Sequence, residues 1–238
     1  LQNNLRIVAI LPARIGSTRL PRKPLLLLGD KPLIARTYHE VRKVFTDVYV
    51  ATDDSEIQTA CEVLDIPCLL TSVDHSNGTT RCLEAYEKLQ ESFDYIVNVQ
   101  GDEPFVDEEI LQPLLNLLTQ DRPDAATLKA PLPPYHSNSN VFVATTLKNE
   151  ALYFSRSPIP FGRDSKADRF QHIGIYAYTP SALKLYCNLP PTPAEQAESL
   201  EQLRWLEHGY EWKVAEAPKK PLSIDTLEDY ERAKKLLG

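Results

Sequence analysis

Two segments of this chain concentrate side chains able to handle a polyphosphate and a divalent cation. The first runs Leu11-Pro12-Ala13-Arg14-Ile15-Gly16-Ser17-Thr18-Arg19-Leu20-Pro21-Arg22-Lys23-Pro24, directly after a β-rich apolar run, and sets Arg14, Arg19, Arg22 and Lys23 among small residues. Such a loop can wrap phosphate oxygens with charge and with backbone N–H donors. A solvated basic turn has the same composition. The second is Val97-Asn98-Val99-Gln100-Gly101-Asp102-Glu103-Pro104, an apolar run ending in an amide, a glycine and two carboxylates. Magnesium takes hard oxygen ligands of this kind, one or two protein carboxylates shared with substrate phosphates. The plainer reading is a turn followed by a helix-capping acid. Neither segment is a Walker A loop or a G-x-G-x-x-G, so P-loop and dinucleotide-binding readings lose support.

Both segments do chemistry only if strands carry them to one edge. Arg6 to Leu11, Val48 to Thr52, Tyr95 to Val99 and Ala125 to Leu128 read as buried strands, with helices over Pro32 to Val44, Asp54 to Leu64 and Thr79 to Gln90. That alternation predicts an α/β fold with a largely parallel sheet covered by helices, whose strand ends bind ligands. In the third helix Cys82, Leu83, Tyr86 and Leu89 fall at helical spacing and predict a core stripe. Asp107 is placed to cap a helix carrying Ile110, Leu111, Leu114 and Leu118, with Pro113 expected to kink it or delay its start. Strands near Val141 to Leu147 and Ile173 to Tyr178 follow, then a helix from about Ala194 to His208 stopped by Gly209. A strand near Trp212 to Ala217 and a helix from Thr226 to Leu237 close the chain, Thr226 and Asp229 having capping-box spacing.

At 238 residues the chain can bury a full core, and eight glycines without a low-complexity segment leave no evident flexible linker, so one compact unit is expected. The four cysteines, at 61, 68, 82 and 187, match neither a zinc knot nor a disulfide scaffold. A net charge of -7 argues against a broad nucleic-acid surface. No stretch reaches the roughly 20 apolar residues of a membrane span, and Leu1 to Asn4 show no signal pattern, so a soluble cytoplasmic protein is expected.

The segments Leu11 to Leu25, Asn98 to Pro104, Ala151 to Arg156, His172 to Tyr176, Leu200 to Arg204 and Ile224 to Thr226 run in order over nearly the whole chain. Together they resemble the 3-deoxy-manno-octulosonate cytidylyltransferases, or CMP-KDO synthetases. The resemblance implies a single Rossmann-like nucleotidyltransferase domain with a small second-half lobe for dimerisation and sugar binding. Residues 1–130 would mainly bind nucleotide, 131–222 mainly sugar, and 223–238 would supply a metal-site turn and closing helix. It further implies transfer of CMP from CTP to KDO with release of pyrophosphate, a role in lipopolysaccharide biosynthesis, Mg²⁺ as cofactor, and a homodimer that binds neither nucleic acid nor membrane.

Carried to matching positions, Arg14, Arg19 and Lys23 would hold the triphosphate, Gly78 would lie in a nucleotide-binding turn and Gln100 would read the cytosine edge. Asp102 and Asp225 would ligate the metal, and with Lys23 and Arg14 they make up the catalytic set. Arg156 would pair with the sugar carboxylate, and His172, Tyr176, Glu201 and Gln202 would complete the sugar site. Glu198, Glu201, Gln202 and Trp205 share one side of the expected helix, opposite Leu200, Leu203 and Leu206. Two departures stand out. Arg22 occupies a position where the family usually has glycine, adding bulk and charge near the phosphates, and Asn77 and Thr80 replace a serine and an acid in the segment Asp74 to Arg81. The alternatives are activation of another acidic sugar, sialic acid or 8-amino-KDO, and a CTP-binding protein without catalysis.

Overall fold

The computed structural model describes residues 5–16, 20–132, 140–163 and 167–237. Contacts group the chain into two compact units, Leu1–Glu108 with Pro221–Gly238, and Glu109–Lys220.

In the first unit, β1 (Ile7–Ala13) is buried at every position, as a strand covered on both faces must be. A 3₁₀ turn, Lys23–Leu25, then leads into a small antiparallel hairpin of β2 (Leu27–Leu28) and β3 (Lys31–Pro32). There follow α1 (Leu33–Arg42), β4 (Asp47–Thr52), α2 (Ser55–Val63), β5 (Cys68–Leu70), α3 (Gly78–Leu89) and β6 (Tyr95–Val99). The strands lie in the order β6-β1-β4-β5, all parallel. Asp54 caps α2 through its Oδ1, which accepts from Glu56 N at 2.9 Å, and Asn77 caps α3 in the same way from Thr80 N at 2.9 Å.

The core stripe of α3 differs from the expected one. Thr79, Arg81, Cys82 and Ala85 are buried, while Leu83, Tyr86 and Leu89 are half-buried. Arg81 can face inward because its guanidinium donates to Thr71 Oγ1 at 2.6 Å and pairs with Asp53 at 3.0 Å.

The second unit opens with α4 (Glu108–Gln120), whose start directly after Asp107 is not delayed by Pro113. Near a helix start the proline removes only one intrahelical bond, and buried Ile110, Leu111, Leu114 and Leu118 hold the helix together. Next come β7 (Ala125–Pro131), β8 (Phe142–Thr145), β9 (Ala151–Ser155), β10 (Phe170–Tyr178), α5 (Pro180–Asn188), α6 (Pro193–Glu198), α7 (Gln202–Glu207) and β11 (Lys213–Glu216). β7 pairs antiparallel with β10 and parallel with β11, and β8 joins β10 to β9. Part of the Ser137 to Glu150 region, residues 137–139, lies outside the described residues.

The single helix expected over Ala194 to His208 is two short ones. Ser199 takes a left-handed φ of 52° between them, and Gly209, at φ +83°, ends the second as expected. Beneath them Tyr178, Tyr186, Trp205 and Trp212 are all nearly fully buried, and each indole N–H is satisfied: Trp205 Nε1 donates to Glu211 O at 2.9 Å and Trp212 Nε1 to Gln202 O at 3.0 Å.

The chain closes in the first unit with α8 (Leu227–Leu237). Its Ala233 packs with Ile224, Leu20, Leu28 and Leu33, while Thr226 and Asp229 form the reciprocal cap expected from their spacing.

Gly101, just past β6, lies so close to the end of β1 that a Cβ there would meet Pro12 O at 3.0 Å and Ile34 Cδ1 at 2.9 Å. Gly101→Ala should therefore destabilise the protein by about 1–3 kcal/mol, measured as a lower urea midpoint at unchanged slope.

Candidate functional site

The ends of β1 and β6 border a cleft of about 290 Å³ lined by Arg14, Gly16, Lys23, Gln100, Asp102 and Asp225 among others. It adjoins a second of about 260 Å³ that shares Pro12, Ala13, Arg14 and Gln100 and adds His75, Asn77, Gly78 and Arg81. Both lie wholly within the first unit. A larger depression of about 500 Å³ beside α2, lined by Leu25, Val63 and Leu64, is mostly apolar and contains none of the predicted site residues.

Each wall of the first cleft has a local cause. The turn after β6 is closed by Glu103 N donating to Gln100 O at 3.2 Å. It is tied to β1 by Gly101 N donating to Pro12 O at 3.3 Å, and to α1 by the buried Thr37 hydroxyl donating to Gly101 O at 3.1 Å. Ser223 Oγ donates to Glu103 Oε1 at 2.7 Å and binds the C-terminal segment to the same turn. Asp225 follows the fully buried Ile224, and its N–H donates to Asp229 Oδ2 at 3.1 Å.

Lys23 reaches across this arrangement. Its ammonium donates to Ile224 O at 2.8 Å, pairs with Asp225 Oδ1 at 3.1 Å and forms a shorter ion pair with Asp102. Burial alone would lower the lysine pKa, but the charges of Asp102 and then Asp225 outweigh it and raise the value. The predicted Asp102–Asp225 pair is thus brought together on one cation. Arg14 stands exposed at the cleft, and Arg19 lies outside the described residues.

Two hard carboxylates bound to one shared cation fit a Mg²⁺ site completed by phosphate oxygens. Among the described residues there is no group of three or more His, Cys, Asp or Glu able to hold a metal unaided, so substrate and water oxygens would have to complete the shell.

Gly78 opens α3 with no room for a side chain: a Cβ would lie 3.0 Å from Pro12 Cγ and 3.6 Å from Gln100 Nε2. Arg22 departs from expectation. Its guanidinium turns to Glu56 at the start of α2, with Nη1 3.1 Å from Oε1, and it does not line the cleft. Its backbone sits at φ 57° and ψ 26°, the left-handed region that favours glycine.

The residues expected to bind sugar all lie in the second unit. Arg156 donates from Nε to Glu198 O at 2.7 Å and from Nη2 to Ser199 O at 3.2 Å, so it caps α6 at the left-handed break. Glu198 returns the contact, accepting from Ser155 Oγ at 2.7 Å and Arg156 N at 2.9 Å. That latch was not foreseen, since spacing alone left Glu198 on a helix face.

His172 and Tyr176 are brought together, ring centroids 5.5 Å apart, across a β-bulge, and both are buried. Tyr176 OH donates to the buried Gln202 at 3.4 Å, and Glu201 O accepts from Tyr186 OH at 2.7 Å. Thr127 Oγ1 lies 2.8 Å from Ile175 O and 2.9 Å from His172 Nε2. Its one proton goes to the carbonyl, so the imidazole donates from Nε2 to Thr127. Burial drives the His172 pKa down to about 3.

The cytidylyltransferase family model matches residues 8–236. A 3-deoxy-manno-octulosonate cytidylyltransferase of Polynucleobacter asymbioticus is 45% identical over 242 residues, covering 97% of this chain and 95% of the relative. One from Parabacteroides distasonis is 42% identical over 246 residues, covering 96% and 97%. This chain belongs to the 3-deoxy-manno-octulosonate cytidylyltransferase family. A solved CMP:2-keto-3-deoxy-manno-octonic acid synthetase complexed with CTP superposes with a TM-score of 0.91 at 36% identity, covering 98% of both chains. As a member of this family the chain is a nucleotidyltransferase with an α/β fold.

Two measurements test the local physics. Arg22→Ala and Arg22→Gly lose the same ion pair, but only glycine accepts φ 57° freely, so the glycine variant should be about 1 kcal/mol more stable by urea unfolding. His172 is held neutral in the fold, at about 3 against an ordinary 6.5, so the unfolded chain binds the extra proton. Its contribution is therefore fully present above pH 6.5 and is lost, at about 1.4 kcal/mol per pH unit, as pH falls from there toward 3. His172→Gln should flatten the unfolding free energy across that window.

Proposed function

We propose that this chain transfers CMP from CTP to 3-deoxy-D-manno-octulosonate, releasing pyrophosphate. The observation that carries the reading is the cleft where Lys23, Asp102, Asp225, Arg14 and Gln100 meet, in a chain that superposes on a CTP-bound synthetase of the family. The anomeric 2-hydroxyl oxygen of the sugar forms a bond to the α-phosphorus of CTP as the bond to the β-phosphate bridging oxygen breaks. The hydroxyl proton is lost to solvent, and pyrophosphate carries away the electron pair.

Arg14 and Lys23 offset the charge gathering on the leaving pyrophosphate, a preorganised stabilisation that costs little reorganisation. Asp102 and Asp225 would hold Mg²⁺, which when bound would supply a Lewis acid that neutralises charge developing in the reaction. Gln100 and the backbone at Gly78 would receive the base and ribose. In the second unit, Arg156, His172, Tyr176, Glu201 and Gln202 would recognise the sugar, a planar guanidinium suiting its carboxylate. The enzyme would work in the cytoplasm as a homodimer, feeding lipopolysaccharide biosynthesis.

The test is pyrophosphate release with CTP and Mg²⁺, comparing KDO with N-acetylneuraminate and 8-amino-KDO. Turnover should be fastest with KDO, and faster use of either rival would reassign the acceptor. Asp102→Asn and Asp225→Asn should each lower turnover by about 10²-fold or more while the folded signal by circular dichroism is kept. Near-normal release by both variants at limiting Mg²⁺ would remove the carboxylates from the chemistry, and tight CTP binding with no turnover by the unsubstituted protein would leave a binding protein.

A further inference from the structure

We propose that Ser223 is a positioning residue whose hydrogen bond to Glu103 sets the spacing of Asp102 and Asp225 as a ligand pair for a divalent cation. The inference deepens the proposed reading of this cleft and rests on it. Ser223 Oγ donates to Glu103 Oε1 at 2.7 Å, across 120 residues of chain. An ionised carboxylate only accepts, so the hydroxyl proton has one direction to point. Glu103 directly follows Asp102, and Ser223 stands two residues before Asp225. The bond therefore joins the two aspartate-bearing segments without passing through Lys23.

Both ends of the bond are anchored. Glu103 sits in a tight turn, where its N–H donates to Gln100 O at 3.2 Å and its carbonyl accepts from Val106 N at 3.2 Å. On the other side Ile224 is fully buried with Leu20, Leu28, Leu33 and Ala233, and Asp225 N donates to Asp229 Oδ2 at 3.1 Å. Those contacts set how deep Asp225 lies. Apolar packing is non-directional, however, and resists sliding of the segment past the Asp102 turn only weakly, whereas a short hydrogen bond constrains both distance and angle. Lys23 is a poor ruler for the same purpose, because an ammonium on a flexible four-carbon stem can follow both carboxylates over a range of separations.

A divalent cation makes the spacing matter. Magnesium demands near-ideal octahedral geometry at about 2.0–2.1 Å, so two carboxylates serve it together only when held at a matching separation. Two like charges at that separation also repel, and a segment able to slide would relax apart. The Ser223–Glu103 bond meets that ordering cost in advance, so it strengthens cation binding rather than the chemical step.

The test is Mn²⁺ binding to the full chain with CTP and without any sugar, read by electron paramagnetic resonance, with urea unfolding alongside to verify that each variant is folded. Asp102→Asn should weaken Mn²⁺ binding and so mark the site. Ser223→Ala should raise the Mn²⁺ dissociation constant about three- to tenfold, the range of one lost hydrogen bond. In the KDO reaction its half-saturating Mg²⁺ should rise by a similar factor, while kcat at saturating Mg²⁺ is retained. In a Glu103→Ala background, where the acceptor is already gone, Ser223→Ala should have no further effect. An unchanged Mn²⁺ constant in Ser223→Ala overturns the inference, as does an equal loss in the Glu103→Ala background. Mn²⁺ binding indifferent to Asp102→Asn would remove the metal site and the inference together. Because binding is read without sugar, a chain that holds Mn²⁺ through Asp102 but transfers nothing to KDO would sink the proposed reaction and leave this inference standing.

Discussion

One ammonium group shared by two carboxylates organises the first unit. Lys23 lies 201 residues before Ile224, whose carbonyl it also binds, so the contact closes nearly the whole chain onto one point. A buried lysine cannot be left there alone, since its desolvation opposes the charge that makes it useful. The carboxylates of Asp102 and Asp225 resolve that conflict, Asp225 being held in turn by its N–H donating to Asp229 and Asp102 by the turn that Gly101 ties to Pro12. Removing the lysine would leave two carboxylates without their shared cation, whereas removing either aspartate leaves one Lys23–carboxylate pair.

What holds these charges in register is apolar. The cluster of Leu20, Leu28, Leu33, Ile224 and Ala233 packs the segment after the basic loop against α8. Thr37 and Pro12 then fasten the turn that carries Asp102. The backbones approach so closely that Gly78 and Gly101 each stand where a methyl group would strike a neighbour. Arg22 is the exception to this economy. It pays for a left-handed backbone without the freedom of glycine, and its charge is turned to Glu56 on α2.

The second unit works differently. Its interior is aromatic, with Tyr178, Tyr186, Trp205 and Trp212 sharing one cluster in which Tyr186, Trp205 and Trp212 each donate to a carbonyl. Burial keeps His172 neutral within it. At the rim, Glu198, Ser155 and Arg156 lock β9 to the end of α6, and the left-handed Ser199 lets α6 and α7 diverge. An arginine whose Nε and Nη2 are already engaged by carbonyls retains Nη1 for a carboxylate.

The sequence by itself was enough for the main buried strands and for the charged motifs, because a buried strand must be apolar throughout and the loop after it must carry whatever chemistry the edge performs, but β5, β9 and α5 were not foreseen. β1, β4, β6 and the reciprocal Thr226–Asp229 cap follow directly from such local rules. Asp102 and Asp225 could be named from their motifs, yet their meeting on Lys23 depends on packing between segments far apart in sequence. The break at Ser199 and the inward face of α3 were likewise settled by distant partners, Arg156 in one case and Thr71 with Asp53 in the other. Periodicity records which side chains prefer water, whereas burial of a polar group depends on whether a partner from elsewhere in the chain arrives to receive it.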